Sequence, residues 1–165
     1  MSDLRRDGVR QTRGMQRMTP DEILAFLKEG PRTGKLATVR PDGRPHVAPI
    51  WFDVDESDPG DGSGIAAELV FNTAETSVKG RNLRNDPRVS LCVDDDRPPF
   101  SYVVVEGEAR LIDDPAELKL WATRIGGRYM GADRAEQYGE RNGVPGELLV
   151  RVAIRHVVAH KGVAD

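Results

Sequence analysis

What the chain has little of narrows it first. A single cysteine, Cys92, stands among 165 residues, so no disulfide forms within the chain. Its place inside an apolar run reads as a small buried hydrophobe rather than a nucleophile. The three histidines, His46, His156 and His160, are too few and too scattered for a metal centre, where three or four clustered ligands are wanted. No apolar stretch approaches the ~18 residues that span a bilayer, and the N-terminus lacks the apolar core of a signal peptide. A net charge of −3 supplies no basic excess that points to nucleic acid. The expectation is a soluble, cytoplasmic protein with neither nucleic-acid nor membrane partners. Its length corresponds to one domain at roughly 100–200 residues each, enough to bury a core without disulfide or metal.

Residues 1–18 carry Arg5, Arg6, Arg10, Arg13 and Arg17 with almost no apolar periodicity, and read as a disordered arm outside the fold. Residues 19–165 read as one domain. Thr19-Pro20-Asp21-Glu22 is a helix start with a capping box, and Gly30-Pro31 stops that helix. Lys35 to Arg40 leads through the turn Pro41-Asp42-Gly43-Arg44 into a return strand, about Arg44 to Val54, that Pro45 and Pro49 place at an edge or bulge. The Gly/Asp/Ser-rich stretch Glu56 to Gly64 reads as a mobile loop. Further strands are expected at Ala67 to Thr73, Arg88 to Val93, Tyr102 to Ile112 and Glu147 to His160. A short helix is expected from Thr76 or Ser77 to Asn85, and an amphipathic one from Asp114-Pro115 onwards, with Leu118, Trp121, Ala122 and Ile125 on one side. A weaker helical piece follows at about Ala132 to Arg141. About six strands, mostly joined by hairpins, favour a mainly β fold, a closed or split antiparallel barrel with peripheral helices.

The segment from Phe71 to Leu83 carries the chemistry. A strand ends in hydroxyls, and a helix opens with Lys79 and Arg81 in its first turns. Free amides and the positive end of the dipole lie at that helix start. The hydroxyls of Thr73 and Ser77 can donate to phosphate oxygens, and Lys79 supplies a point charge. Basic residues are unfavourable at a helix N-terminus unless an anion is bound, which is the hint of function. An ordinary Thr/Ser cap with an exposed basic face accounts for the same residues, and spacing does not choose between the two.

Three blocks carry a resemblance: Leu36-Ala37-Thr38-Val39 with Asp42-Gly43-Arg44-Pro45; Phe71-Asn72-Thr73 through Lys79; and Asn82-Leu83-Arg84-Asn85-Asp86-Pro87-Arg88-Val89-Ser90-Leu91. From Lys35 to Ile112 the chain resembles the pyridoxamine 5′-phosphate oxidase-like, FMN-binding split-barrel superfamily. The resemblance implies a split barrel, with Asn72, Thr73, Ser77 and Lys79 on the cofactor-phosphate motif. It places the strand His46, Val47, Ala48, Pro49, Ile50 and Trp51 along the ring system, largely through its backbone. FMN-using oxidases of this family commonly carry Arg where this chain has Val78, and Arg and Lys where it has His46 and Trp51. Those departures turn the resemblance from FMN towards the actinobacterial subgroup that uses the deazaflavin coenzyme F420. The short strand Leu36-Ala37-Thr38, the helix Lys79-Gly80-Arg81-Asn82-Leu83 and the strand Tyr102 to Gly107 are similar to that subgroup.

The resemblance implies hydride transfer between the deazaflavin and a small electron-poor substrate, in a homodimer with the cofactor at the subunit interface. The cofactor performs such chemistry while the protein binds and orients it, so no catalytic triad is expected. His46 is the best candidate proton donor because it precedes the ring-facing strand. Trp51 is a candidate to stack on cofactor or substrate, and Tyr102 and Arg44 are weaker candidates. The alternatives are an FMN-dependent oxidase or reductase of the same fold, and a non-catalytic protein that holds cofactor, haem or a related tetrapyrrole.

Overall fold

The computed structural model describes residues 14–57 and 64–165. Most of the expected arm, residues 1–13, and the middle of the expected mobile loop, residues 58–63, lie outside the described residues. The elements run β1 (Gln16–Arg17), α1 (Pro20–Lys28), β2 (Gly34–Val39), β3 (Pro45–Ile50), β4 (Asp53–Asp55), β5 (Glu68–Ala74), α2 (Val78–Asn85), β6 (Arg88–Asp95), β7 (Ser101–Ile112), α3 (Pro115–Met130), α4 (Ala135–Asn142) and β8 (Glu147–Lys161). One antiparallel sheet has the order β3-β2-β6-β7-β8-β5-β4, with β1 added to β8. Mainly β with helices at the periphery, it is the split-barrel arrangement. Pairing begins at Gln16, inside the segment read as an arm, because Gln16 and Arg17 lie against Lys161 and His160.

Local chemistry explains most boundaries. The Thr19 hydroxyl accepts from the Glu22 amide and the Glu22 carboxylate accepts from the Thr19 amide, a closed capping box. Ile23, Phe26 and Leu27 then bury one side of α1. The β2–β3 hairpin turns on Gly43, at φ 86°. The Gly43 amide donates to the Arg40 carbonyl at 2.8 Å and the Arg40 amide to the Arg44 carbonyl at 2.9 Å, a three-residue loop closed by a left-handed glycine. Strand β3 ends the strand order, the edge position that its two prolines require.

The return strand expected from Arg44 to Val54 is in fact two strands. After Ile50 the chain crosses from one end of the strand order to the other, and β4 pairs with β5. Phe52, fully buried, sits at the crossing. Its amide donates to the Tyr129 hydroxyl at 3.3 Å and its carbonyl accepts from Arg128 at 2.9 Å, both from the end of α3. A change of strand partner leaves no mark on a period of two. Strands as short as β1 and β4 also show no alternation, so eight strands stand among the described residues where about six were expected.

The weaker helical piece expected at about Ala132 to Arg141 is a second helix, α4, packed against the end of α3. Their glycines are close-approach points rather than breaks: a Cβ on Gly127 would lie 3.1 Å from that of Ala135. Cys92 is half-buried rather than buried. It lies on the outer face of the sheet, with Lys35 and Val104 as cross-strand neighbours, and desolvation, then Asp94, pushes its thiol pKa up.

The barrel interior is filled by Leu36, Leu91, Val103, Val105, Phe71 and Val150, with Phe26 and Leu27 of α1 against them. Helix α3 covers the outside of the β5–β8 half, where Leu118 and Trp121 pack on Val70 and Leu149. Arg151 ties these layers together through Asp55 at 2.8 Å, Glu68 at 3.1 Å and Glu117 at 2.5 Å. The outer face of the other half stays partly open, with Lys35, Cys92, Val104 and Val158 side by side across four strands.

Candidate functional site

Strand β5 delivers the chain to the start of α2, and side chains fix that junction. The Ser77 hydroxyl accepts from the Gly80 amide at 3.0 Å and lies 3.0 Å from the Thr73 hydroxyl. The Ser77 amide donates back to Ala74. Gly80 allows the close seat: a Cβ there would lie 2.5 Å from the Ala74 carbonyl oxygen and 2.9 Å from that of Glu75. One turn later the Asn82 side-chain amide donates through Nδ2 to the Thr38 hydroxyl at 3.0 Å, both residues buried, which pins α2 over β2.

The result is a helix start with unanswered donors. The amides of Val78 and Lys79 belong to the first turn, which has no acceptor within the helix, and they donate to nothing among the described residues. No acidic residue stands in that turn. Arg84 pairs with Glu75 at 2.9 Å and Arg81 donates to the Thr76 carbonyl at 3.0 Å. The half-buried Lys79 has no partner among the described residues. This end of α2 can take an anion through amides, dipole and ammonium together.

Of the other expected phosphate residues, Asn72 donates to Glu147 at 3.1 Å and Thr73 is buried behind Ser77. Thr73 therefore orients a hydroxyl rather than lying open itself. Gly80 and the Asn82–Thr38 pair were missed in the sequence. A glycine one turn into a helix and a polar residue on its buried face are the signals that mark them.

Strand β3 lies beside this helix. Its register sets Thr38 opposite His46, Ala37 opposite Val47 and Gly34 opposite Ile50. Directly opposed residues share a face, so His46 is on the Thr38 side, where α2 is pinned, with Ile50 buried on that side. Val47 and Pro49 face the other way and are exposed. The His46 Nδ1 atom is buried with no hydrogen-bond partner among the described residues, an unmet polar group of the kind that marks a functional position.

The free edge of β3 has an unusual pattern. Antiparallel ladders alternate bonded and non-bonded pairs. Counting from the Arg40–Arg44 hydrogen bond makes Thr38–His46, Leu36–Ala48 and Gly34–Ile50 the bonded pairs. Residues 45, 47 and 49 then direct their backbone groups outward. Pro45 and Pro49 have no amide hydrogen, so this edge offers one donor, the Val47 amide, among three carbonyl acceptors.

Trp51 is not on that strand. It turns onto Tyr129, with ring centroids 5.0 Å apart and planes 5° from parallel, and touches Tyr138 of α4 at 5.7 Å. Tyr102 packs on His160, its cross-strand neighbour, and Arg44 pairs with Asp42 in the hairpin turn. A cavity of about 570 Å³ opens beside the β2–β3 hairpin between Val39, Pro45, Ser90 and Glu106. Another, of about 500 Å³, lies between Glu75, Leu118, Val144 and Glu147. Lys79 lines neither. No helix among the described residues is long and apolar enough to cross a membrane, and no group of three His, Cys, Asp or Glu gathers there to hold a metal ion.

Comparison with known proteins gives this geometry its context. Over 155 residues the chain is 29% identical to the 5a,11a-dehydrotetracycline/5a,11a-dehydrooxytetracycline reductase of Streptomyces rimosus subsp. rimosus, covering 87% of this chain and 96% of that protein. Among solved structures it is similar to the conserved hypothetical protein Rv2991 of Mycobacterium tuberculosis, with 30% identity, a TM-score of 0.73, and coverage of 88% and 86% of the two chains. It is also similar to an F420 reductase, at 28% identity and a TM-score of 0.58, over 81% of this chain and 94% of that one. The family model described as pyridoxamine 5′-phosphate oxidase matches residues 19–161. With a match that runs from the first helix to the last strand, the chain belongs to the pyridoxamine 5′-phosphate oxidase family.

Proposed function

We propose that this protein is an oxidoreductase that holds the phosphate of coenzyme F420 at the start of α2 and reduces a small electron-poor substrate. The observation that carries the reading is the cradle itself: two amides and Lys79, without partners among the described residues, on a helix start that Gly80 seats closely on the end of β5. An anionic phosphate fits those donors, and the orphaned Nδ1 of His46 lies on the strand face beside them. Similarity to proteins named as reductases, one of them an F420 reductase, supports the reaction class and the cofactor.

When bound, the deazaflavin supplies the hydride. The chain's own residues do the rest. Ser77, Val78 and Lys79 hold the phosphate, with Thr73 orienting Ser77 and Asn72 braced on Glu147. The edge from His46 to Ile50 would border the ring, with the Val47 amide as its outward donor. His46 would be the side chain that gives the proton completing reduction of the substrate. Val78, where an Arg would add positive charge, and the uncharged Trp51 favour the deazaflavin over FMN. A second copy would complete the site, with the partly open face around Val104 and Val158 as the surface on which two copies pair.

The test is a side-by-side titration of the purified protein with F420 and with FMN, followed by single-turnover oxidation of reduced F420. Saturable F420 binding, with FMN weaker by about tenfold or ~1.4 kcal/mol, is expected. Tighter FMN binding moves the protein to the flavin-dependent class, and binding of either cofactor without turnover makes it a carrier.

A further inference from the structure

We propose that Arg40 is a second anion-binding position, separate from Lys79, and that it makes the site selective for substrates that carry a carboxylate or another anionic group. The inference deepens the reading above and rests on it for where the substrate lies, beside His46. Six lysines and arginines are half-buried among the described residues: Arg32, Arg40, Lys79, Arg128, Arg151 and Lys161. Four of them, Arg32, Arg128, Arg151 and Lys161, pair with carboxylates. Only Arg40 and Lys79 have no side-chain partner among those residues. Asp42, the acid of the turn that follows Arg40, is taken by Arg44. A guanidinium drawn partly out of water without a counter-ion is unfavourable until an anion arrives.

The β2–β3 hairpin sets Arg40 on the His46 side. Thr38 opposes His46, and the next pair on that face is Arg40 with Arg44, joined from the Arg40 amide to the Arg44 carbonyl at 2.9 Å. Val39 and Pro45, the pair between, face the other way and line the cavity of about 570 Å³, which Arg40 does not. His46 and Arg40 are diagonal neighbours across the two strands, about 7–8 Å apart at their backbones. A substrate beside His46 therefore comes within the span of a guanidinium. Lys79 belongs to a different element, three positions before Asn82 on the same side of α2, and Asn82 holds Thr38. Two unpaired cations and the unmet Nδ1 of His46 thus gather about the Thr38–Asn82 bond. The Arg40 backbone is fixed at both ends, because its carbonyl also accepts from the Gly43 amide at 2.8 Å, so little is left to order when a ligand arrives. Its planar fork suits a carboxylate through two parallel hydrogen bonds, whereas Lys79 offers a point charge.

The acid 4-nitrocinnamate and its neutral amide share one electron-poor conjugated skeleton and differ in charge, and quenching of tryptophan fluorescence reports the binding of each. In the unsubstituted protein the acid should bind about tenfold more tightly than the amide. In Arg40→Gln that ratio should fall towards one, and Arg40→Lys should keep part of it. F420 titrated into the same variants gives a separate readout, and its affinity should stay within about twofold. Lys79→Ala should weaken F420 binding and leave the acid-to-amide ratio in place. An acid that binds no better than the amide in the unsubstituted protein overturns the proposal. So does an unchanged ratio in Arg40→Gln or, if that variant fails to fold, in Arg40→Ala. A ratio lost equally in Lys79→Ala means that the two cations hold one anion, and overturns the separate position. Loss of F420 affinity in Arg40→Gln gives Arg40 to the cofactor and overturns the substrate selectivity. Failure of F420 to bind in any form, the unsubstituted protein included, strikes the function proposed above, while the acid-to-amide ratios still decide the role of Arg40.

Discussion

Lys79 shows what a single residue can disclose. Lysine at the second position of a helix opposes the dipole, and the fold leaves it without a carboxylate among the described residues. An uncompensated cation held half-buried is a standing site for an anion. Replacing Lys79 with Ala should weaken cofactor binding by about 1.5–3 kcal/mol, the range for a charge-assisted hydrogen bond, with Lys79→Arg retaining most of the affinity. Isothermal titration decides it, and unchanged affinity in Lys79→Ala would remove the phosphate from this position. Ser77 and Lys79 were legible in the sequence because capping and charge act within one turn. The work of Thr73 was not. Its hydroxyl reaches Ser77 only because a turn folds the chain back, which seats a residue read as a phosphate contact behind the helix cap.

At the scale of the element, β3 joins backbone pattern to function. Its prolines at 45 and 49 fall where an amide would point outward, so the ladder to β2 loses nothing. The same spacing makes Val47 the single outward donor of the strand. Val47→Pro therefore extends a pattern the strand already tolerates, and should leave the thermal midpoint within a few degrees while sharply weakening cofactor binding. A fold intact by circular dichroism with undiminished affinity would show that the cofactor does not use this edge. Edge position was readable from the two prolines alone. The end of β3 was not, because Trp51 and Phe52 continue an apolar strand pattern, and only Arg128 and Tyr129, more than seventy positions on, hold them in a crossing.

The whole molecule depends on a polar clasp as well as an apolar core. Arg151 on β8 gathers Asp55 from β4, Glu68 from β5 and Glu117 from α3. Burial raises the Asp55 pKa, yet hydrogen bonds from Ser57 and Arg151 outweigh it and hold the carboxyl below its ordinary 3.8. Asp86, gripped by Arg88, is held at about 2. A carboxylate with a depressed folded pKa adds stability that is complete above its unfolded pKa and is lost as pH falls through the folded one. Urea midpoints should stay level from neutrality to about pH 4 and drop below it, with a shallower drop in Asp55→Asn. Arg151→Met leaves buried carboxylates without their cation and should cost about 3–5 kcal/mol. A loss well under ~1 kcal/mol would reduce the clasp to an ordinary surface pair.

The sequence by itself determined the parts whose causes are local: the capping box at Thr19, the Gly43 turn, the edge character of β3, the cap at Ser77 and the cation beside it. Each rests on atoms a few residues apart, so the order of residues suffices. The tertiary structure decided which of these meet. Gly80 seats α2 on the end of β5, Asn82 locks it to Thr38, and the crossing at Phe52 sends Trp51 away from β3 onto Tyr129. Those outcomes depend on contacts between distant segments, whose strength comes from burial and close packing, and burial is a property that the chain acquires only on folding.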